Sequence, residues 1–394
     1  MNNIENKASQ NEIPEIDLPW SNLPSIFEHV KSNIDEDGRL QLNHLPCDEK
    51  TYKEGTLRLE RGFSDGMAFH FGEEDSNNKN VSKLVDLLIN ISETNSISTK
   101  VELYNYIQNI TLGSIFVFIM DSLMEHDIKV DLYLYDFAKW LAFESPSTSS
   151  VKLGISLLAI IIDDDEDIEQ ELNRKLFTLG KYDDFTLYVG YAICSKFKYV
   201  ERELWKLSKL VSGWGRIHTI FYLTPTENPE IKNWILRKGF ISGNMIPYHA
   251  FLCASIGNLK TDLCKENIDS ELLLVAGELI EALVLGGPID INDYEDGPEV
   301  FRLYINLMSN RAFKLQQLMI LADIIDFLTG KAASSTHMSK ELWPEKFRNE
   351  LLDKIKLIFK DPKWIQIVKE KSVSTDEDDI WEAEVVSNIL GLSK

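Results

Sequence analysis

The sequence predicts an all-α protein built from stacked helical pairs. Three observations predict it: apolar residues recur at helical spacing from Leu84 onward, similar helices recur about every 31 residues through the middle of the chain, and glycines punctuate the units. With 394 residues, 44% of them hydrophobic, the chain can bury a sizeable core.

Residues 1–80 are rich in Asn, Asp, Glu, Gly and Pro, which predicts an irregular N-terminal segment. Within it, Thr56–Arg61 and Met67–Phe71 alternate apolar and polar around Gly62-Phe63-Ser64-Asp65-Gly66, the pattern of a β-hairpin, so this segment is expected to be partly β. Glu73 to Asn80 reads as a polar linker, after which Leu84, Leu87, Leu88 and Ile91 start the helical pattern.

The repeat is clearest from Val151. First helices are expected near Val151, Asp183, Trp214 and Ile246, and second helices over 168–179, 200–211 and 231–238. Gly180, Gly213 and Gly239 follow the second helices, where a left-handed residue can end a helix without steric penalty. Asn228-Pro229-Glu230 reads as an N-cap with Pro at the first helical position. Each pair leaves an apolar face that only a neighbouring pair can bury, so the expected architecture is a HEAT-like α-solenoid over residues 81–330. Helices over 270–285, 298–310, 313–328 and 345–359 keep the period less regularly. Residues 330–339 read as a loop, 331–394 as C-terminal capping helices, and 372–379 as an acidic turn before a short final helix.

Charge and cysteine content narrow the function. Against 41 Lys and Arg stand 63 Asp and Glu, a formal charge of -22 that repels phosphate backbones and anionic lipid, so no nucleic acid partner is expected. Cys47, Cys194, Cys253 and Cys264 are too dispersed for a disulfide framework or a zinc site, and read as reduced thiols. The N-terminus carries no signal or transit pattern, and the apolar runs 110–120 and 151–162 are too short to span a bilayer, so the expectation is a cytoplasmic chain without a membrane span.

Cofactor motifs are sparse. Cys194 follows Leu187-Tyr188-Val189-Gly190, which lacks the Phe, the basic residue and the final Gly of a haem-thiolate loop, so it reads as a core cysteine. No His has Glu three residues before it, as a di-iron carboxylate centre requires. Gly213-Trp214-Gly215-Arg216-Ile217-His218 gives Gly-x-Gly-x-x-His after a helix, where dinucleotide binding needs a preceding strand; a helix-to-helix turn explains both glycines. The run Asp163-Asp164-Asp165-Glu166-Asp167 contains the Asp-Asp-x-x-Asp that holds magnesium and diphosphate in helical terpenoid enzymes. It falls between repeat helices, where carboxylates favour the next helix N-terminus, and Ile168 stands where a calcium loop needs Gly. No metal ligand is assigned.

Trp214, Arg216, His218, Tyr222, Tyr248 and His249, with Trp234 and Arg237, form the most polar-aromatic stretch and are the candidate ligand surface. The alternative is repeat core, above all for Tyr222 and Trp234. Helical repeats without catalytic motifs bind proteins or peptides on a concave face, which gives one expected function, a non-catalytic scaffold.

The runs Gly213-Trp214-Gly215-Arg216-Ile217-His218, Asn228 to Arg237, and Tyr248-His249-Ala250-Phe251-Leu252-Cys253-Ala254 resemble a bacterial family carrying the name limonene hydroxylase. The likeness covers most of the repeat region and, more weakly, the full length. It implies oxygen-dependent allylic hydroxylation of the small apolar monoterpene limonene to carveol or perillyl alcohol. It further implies NAD-linked oxidation of the alcohol to carvone or perillyl aldehyde, with NAD(P)H as cofactor. The resemblance carries over no catalytic residue.

Overall fold

A computed structural model describes residues 18–42, 44–46, 59–72, 79–125, 132–161, 165–241 and 243–392. Among these there are 20 α-helices and no strand, with one isolated antiparallel bridge between Ile34 and Leu40. The all-α expectation holds.

In chain order the helices are α1 (Ile26–Ser32), α2 (Phe63–Phe71), α3 (Lys79–Thr94), α4 (Ile97–Ile107), α5 (Phe116–Glu125), α6 (Leu132–Phe143), α7 (Thr148–Ile160), α8 (Glu166–Leu179), α9 (Asp183–Lys196) and α10 (Val200–Ser208). There follow α11 (Gly213–Tyr222), α12 (Pro229–Trp234), α13 (Ala250–Ile256), α14 (Leu259–Leu263), α15 (Ser270–Leu285), α16 (Gly297–Arg311), α17 (Leu315–Leu328), α18 (Glu345–Phe359), α19 (Lys363–Lys371) and α20 (Glu377–Ile389).

The first helices of the repeat form one row: α6 packs on α7, α7 on α9, and α9 on α11. The second helices flank it, α8 against α9 and α10 against both α9 and α11. Side-chain patterning explains this division. In α9 Asp183, the run Phe185–Gly190, Ala192 and Ile193 are all buried, so the helix must be covered on nearly every side. In α10 only Leu204, Leu207 and Ser208 are buried, a single stripe that leaves the opposite face to solvent.

The caps follow the sequence. Asn228 accepts the Glu230 amide at 3.0 Å with Pro229 at the first helical position, and Asp165 accepts the amides of Asp167 and Ile168 at 3.0 and 3.2 Å. Such a cap contributes about 1 kcal/mol.

Four expectations change. The hairpin is replaced by α2 over Phe63–Phe71; the first proposed strand lies mostly outside the described residues. Met67 to Phe71 alternate, but as a helix they are enclosed: Phe63 and His70 meet Trp214, while Phe69 meets Phe116 and Phe221. A short segment packed on several sides gives no clean period. Of the three glycines, only Gly213 is left-handed, at φ +46, and it starts α11. Gly180 has φ -59 and serves contact instead, since a Cβ there would lie 2.7 Å from Val189.

The expected helix near Ile246 begins only at Ala250, after a 3₁₀ turn over Gly243–Tyr248, because Pro247 lacks an amide and disfavours helix at the residue before it. The second helix of the preceding unit, expected over 231–238, passes after Trp234 into a π-helical turn over Ile235–Gly239. Finally, 330–339 is not all loop: Ala333–His337 forms a 3₁₀ turn, and its buried Ser334 hydroxyl donates to the Val284 carbonyl. Among the described residues, no helix is long and apolar enough to cross a membrane.

Candidate functional site

Trp214 and His218 lie one turn apart on the same face of α11, and that face is covered by α2. His70 of α2 places Nε2 2.9 Å from Nδ1 of His218, the two rings meeting by their edges with centroids 5.1 Å apart and 14° between planes. The Trp214 indole stacks on His70 at 6.2 Å, and Tyr248 from the 3₁₀ turn closes over Trp214 at 5.2 Å. Trp214 and His218 are fully buried. Burial lowers the His70 pKa to about 4 and holds His218 well below the usual histidine value, so both imidazoles are neutral at pH 7 and one donates to the other. Among the described residues, Nε2 of His218 and Nε1 of Trp214 are buried without a hydrogen-bond partner.

An ion pair anchors α2 over this row. Asp65 accepts Nζ of Lys152, on α7, at 2.7 Å and the Gly113 amide at 3.0 Å; both charged side chains are largely buried. The Gly62 amide donates to Asp184 of α9 at 2.8 Å. Gly66 sits so close to the indole that a Cβ would fall 2.1 Å from Trp214. Sequence reasoning passed over His70, Asp65 and Lys152. The available signal was Lys152 itself, a lone cation inside an otherwise apolar helix, which calls for a buried carboxylate.

The other candidate residues separate from this cluster. Arg216 donates from Nε and Nη2 to the Val211 carbonyl at 3.1 and 2.7 Å, and from Nη1 to Lys238 and Ile241 carbonyls at 3.3 and 3.1 Å. It is a clamp on chain ends, with its guanidinium 5.6 Å from the Trp234 ring centre. Tyr222 packs its ring against Gly190, where a Cβ would lie 2.4 Å away. His249 is buried, with Nδ1 3.1 Å from the Met245 carbonyl, and burial lowers its pKa to about 4.

The residues do not fit the cofactors that the family resemblance implies. At Gly213 to His218, the place a dinucleotide phosphate would take is filled by Asp183, whose carboxylate accepts the Ser212 amide. A Cβ on Gly215 would lie 2.6 Å from Asp183 Oδ1, so the glycine accommodates a carboxylate of this chain. Among the described residues no group of three or more His, Cys, Asp and Glu is arranged to hold a metal ion. Asp163 and Asp164 lie outside those residues, and Asp165 is engaged as an N-cap.

A groove of ≈ 1250 Å³ runs along α8 and α10, with Asp37 and Gly38 among its lining residues. Six exposed or half-buried cations line it: Arg174, Lys181, Lys198, Arg202, Lys206 and Lys209. Aromatic rings lie under three of these. Lys206 lies 4.8 Å over Phe177, Lys209 3.4 Å over Trp205, and Arg202 4.4 Å over Tyr199. Asn173 Oδ1 and Trp205 Nε1, both from lining residues, are buried without partners. None of this surface was singled out from sequence, because its cations come from two helices and a loop that only the fold brings together.

Comparison with protein-family models, curated proteins and solved structures finds no match to this chain.

Proposed function

We propose that this chain is a HEAT-like helical scaffold that acts by binding a protein segment in the groove along α8 and α10. The observation that carries this reading is the division of the surface: α2 packs on α9 and α11 and covers the α11 face bearing Trp214 and His218, while the groove along α8 and α10 is open. Its ≈ 1250 Å³ exceeds the roughly 300–1,000 Å³ of small-molecule sites and suits an extended stretch of chain. Free thiols at Cys194, Cys253 and Cys264 support a cytoplasmic placement.

The test is a peptide array probed with the purified protein and with a Phe177→Ala Trp205→Ala variant, which removes groove contact area without altering charge. Peptides that bind the first and not the second, and that slow deuterium exchange in α8 and α10, support the reading. Binding indifferent to the variant, or protection confined to α2, eliminates it.

The family resemblance favours a second reading, hydroxylation of limonene. One observation suits its substrate: a pocket of ≈ 530 Å³ between α19 and α20, lined by Ile365, Val368, Ile380, Ala383 and Leu392 together with Lys369, Ser372, Glu384 and Ser387, has the size for a small hydrocarbon. Purified protein supplied with limonene, NADH and oxygen decides this. Carveol or perillyl alcohol from a homogeneous preparation supports it; a colourless, metal-free protein giving neither product removes it.

A further inference from the structure

The groove gathers cations in a chain that is otherwise strongly acidic, with a formal charge of -22. Arg202 is matched by Glu203 at 2.6 Å and Arg174 by Glu171 at 2.8 Å, but among the described residues Lys181, Lys198, Lys206 and Lys209 stand in no ion pair. Lys196 differs from them: its side chain is fully buried, bonded to Glu169 at 2.9 Å and to the Leu158 and Ile161 carbonyls at 3.0 and 2.9 Å. The loose lysines also repel one another. Burial lowers the Lys181 pKa, the charge of Lys206 adds to the lowering, and Asp35 opposes it. Water solvates these ammonium groups, so their gathering costs little, and it leaves a local positive potential that an external anion can meet.

Resting on the scaffold reading above, we propose that the groove takes an acidic peptide segment, its Asp and Glu carboxylates meeting Lys181, Lys198, Lys206 and Lys209 and its apolar side chains meeting Phe197 and the ring edges of Phe177 and Trp205.

The rings favour a peptide over single-stranded nucleic acid. Stacking of bases needs open aromatic faces. Phe177 and Trp205 have one side against the hydrophobic core and the other under Lys206 and Lys209. The same arrangement suits carboxylates, because each ammonium is held by a ring and is already partly ordered before an anion arrives. Glu166, Glu169 and Glu203 along the lining would further repel a continuous phosphate backbone, whereas a peptide can space its charges between them.

The test uses fluorescent synthetic peptides alternating Glu with Phe and Leu, matched peptides with Gln or Lys in place of Glu, and an oligothymidylate. The Glu peptide should bind about tenfold or more tightly than the Gln peptide, the Lys peptide should not bind, and the difference should shrink as salt rises from about 0.05 to about 0.5 M. Lys206→Glu with Lys209→Glu should abolish the preference, and Lys198→Gln with Lys209→Gln should weaken it; these exposed positions leave the core intact. Equal binding of the Gln or Lys peptide overturns the acidic assignment while leaving a peptide groove standing. Binding of oligothymidylate alone overturns it in favour of nucleic acid. If no probe binds, and none slows exchange in α8 and α10, both the assignment and the groove reading fail.

Discussion

His70 and His218 meet edge to edge at 2.9 Å although 148 residues separate them in sequence, and this contact closes α2 over the α11 face. Both rings are neutral because burial disfavours the imidazolium, His70 titrating near about 4. In an unfolded chain histidine titrates near about 6.5. Between those values the unfolded state binds more protons, so stability is fully present above pH of about 6.5 and is lost as pH falls toward about 4. The His70 contribution is on the order of 3 kcal/mol. Thermal unfolding across this range should show the melting temperature dropping toward acid. His70→Gln, which keeps a hydrogen bond to His218 without titrating, should flatten the drop; an unchanged pH profile would refute the contact.

Gly66 faces the Trp214 ring with no room for a methyl group. Gly66→Ala should therefore push α2 from its seat, costing about 1–3 kcal/mol, although alanine favours a helix more than glycine does. Deuterium exchange should rise in α2 and around Trp214 while α15 to α18 stay protected. A more stable Gly66→Ala protein would mean that helix propensity decides and the close approach does not exist.

Asp65 and Lys152 form a largely buried pair. Lys152→Met should destabilise by about 3–5 kcal/mol by stranding the carboxylate, and Asp65→Leu similarly by stranding the ammonium. The double variant should recover most of the loss. Additive losses in urea unfolding would show that the two groups do not interact.

Asp183 is buried beneath the Gly213 to Gly215 turn, and burial raises its pKa to about 7 from the usual carboxylate value of 3.8. Between those values the folded state holds the proton that the unfolded state has released, so this group's contribution falls as pH rises from about 4 to about 7. Asp183→Asn keeps an acceptor for the Ser212 amide without the buried charge. It should stabilise the protein above pH of about 7 and change little near pH of about 4, measured as the difference in unfolding free energy. A pH-independent difference would place the charge in solvent.

The helices of the repeat were legible because burial stripes recur along them: Leu172 and Leu176 in α8, Leu204 and Leu207 in α10. Trp214, His218 and Tyr248 were singled out for their chemistry and do assemble, but against α2 and with no opening to solvent at Trp214 or His218. Arg216 belongs to the candidate ligand surface as a cation beside aromatic residues and is instead consumed by backbone carbonyls. That distinction is invisible in sequence, because the carbonyls it satisfies lie at helix ends whose positions depend on packing.

By itself the sequence determined the helical class, the bounds of helices such as 270–285 and 345–359, and the cap at Asn228, since these depend on neighbours within a few turns of chain. Tertiary structure decided which face of the row α2 takes, which histidine meets which, and where unpaired lysines gather. Those outcomes join residues far apart in the chain, and long-range pairing is selected by shape and charge at the contact, for which a linear pattern carries no local signal.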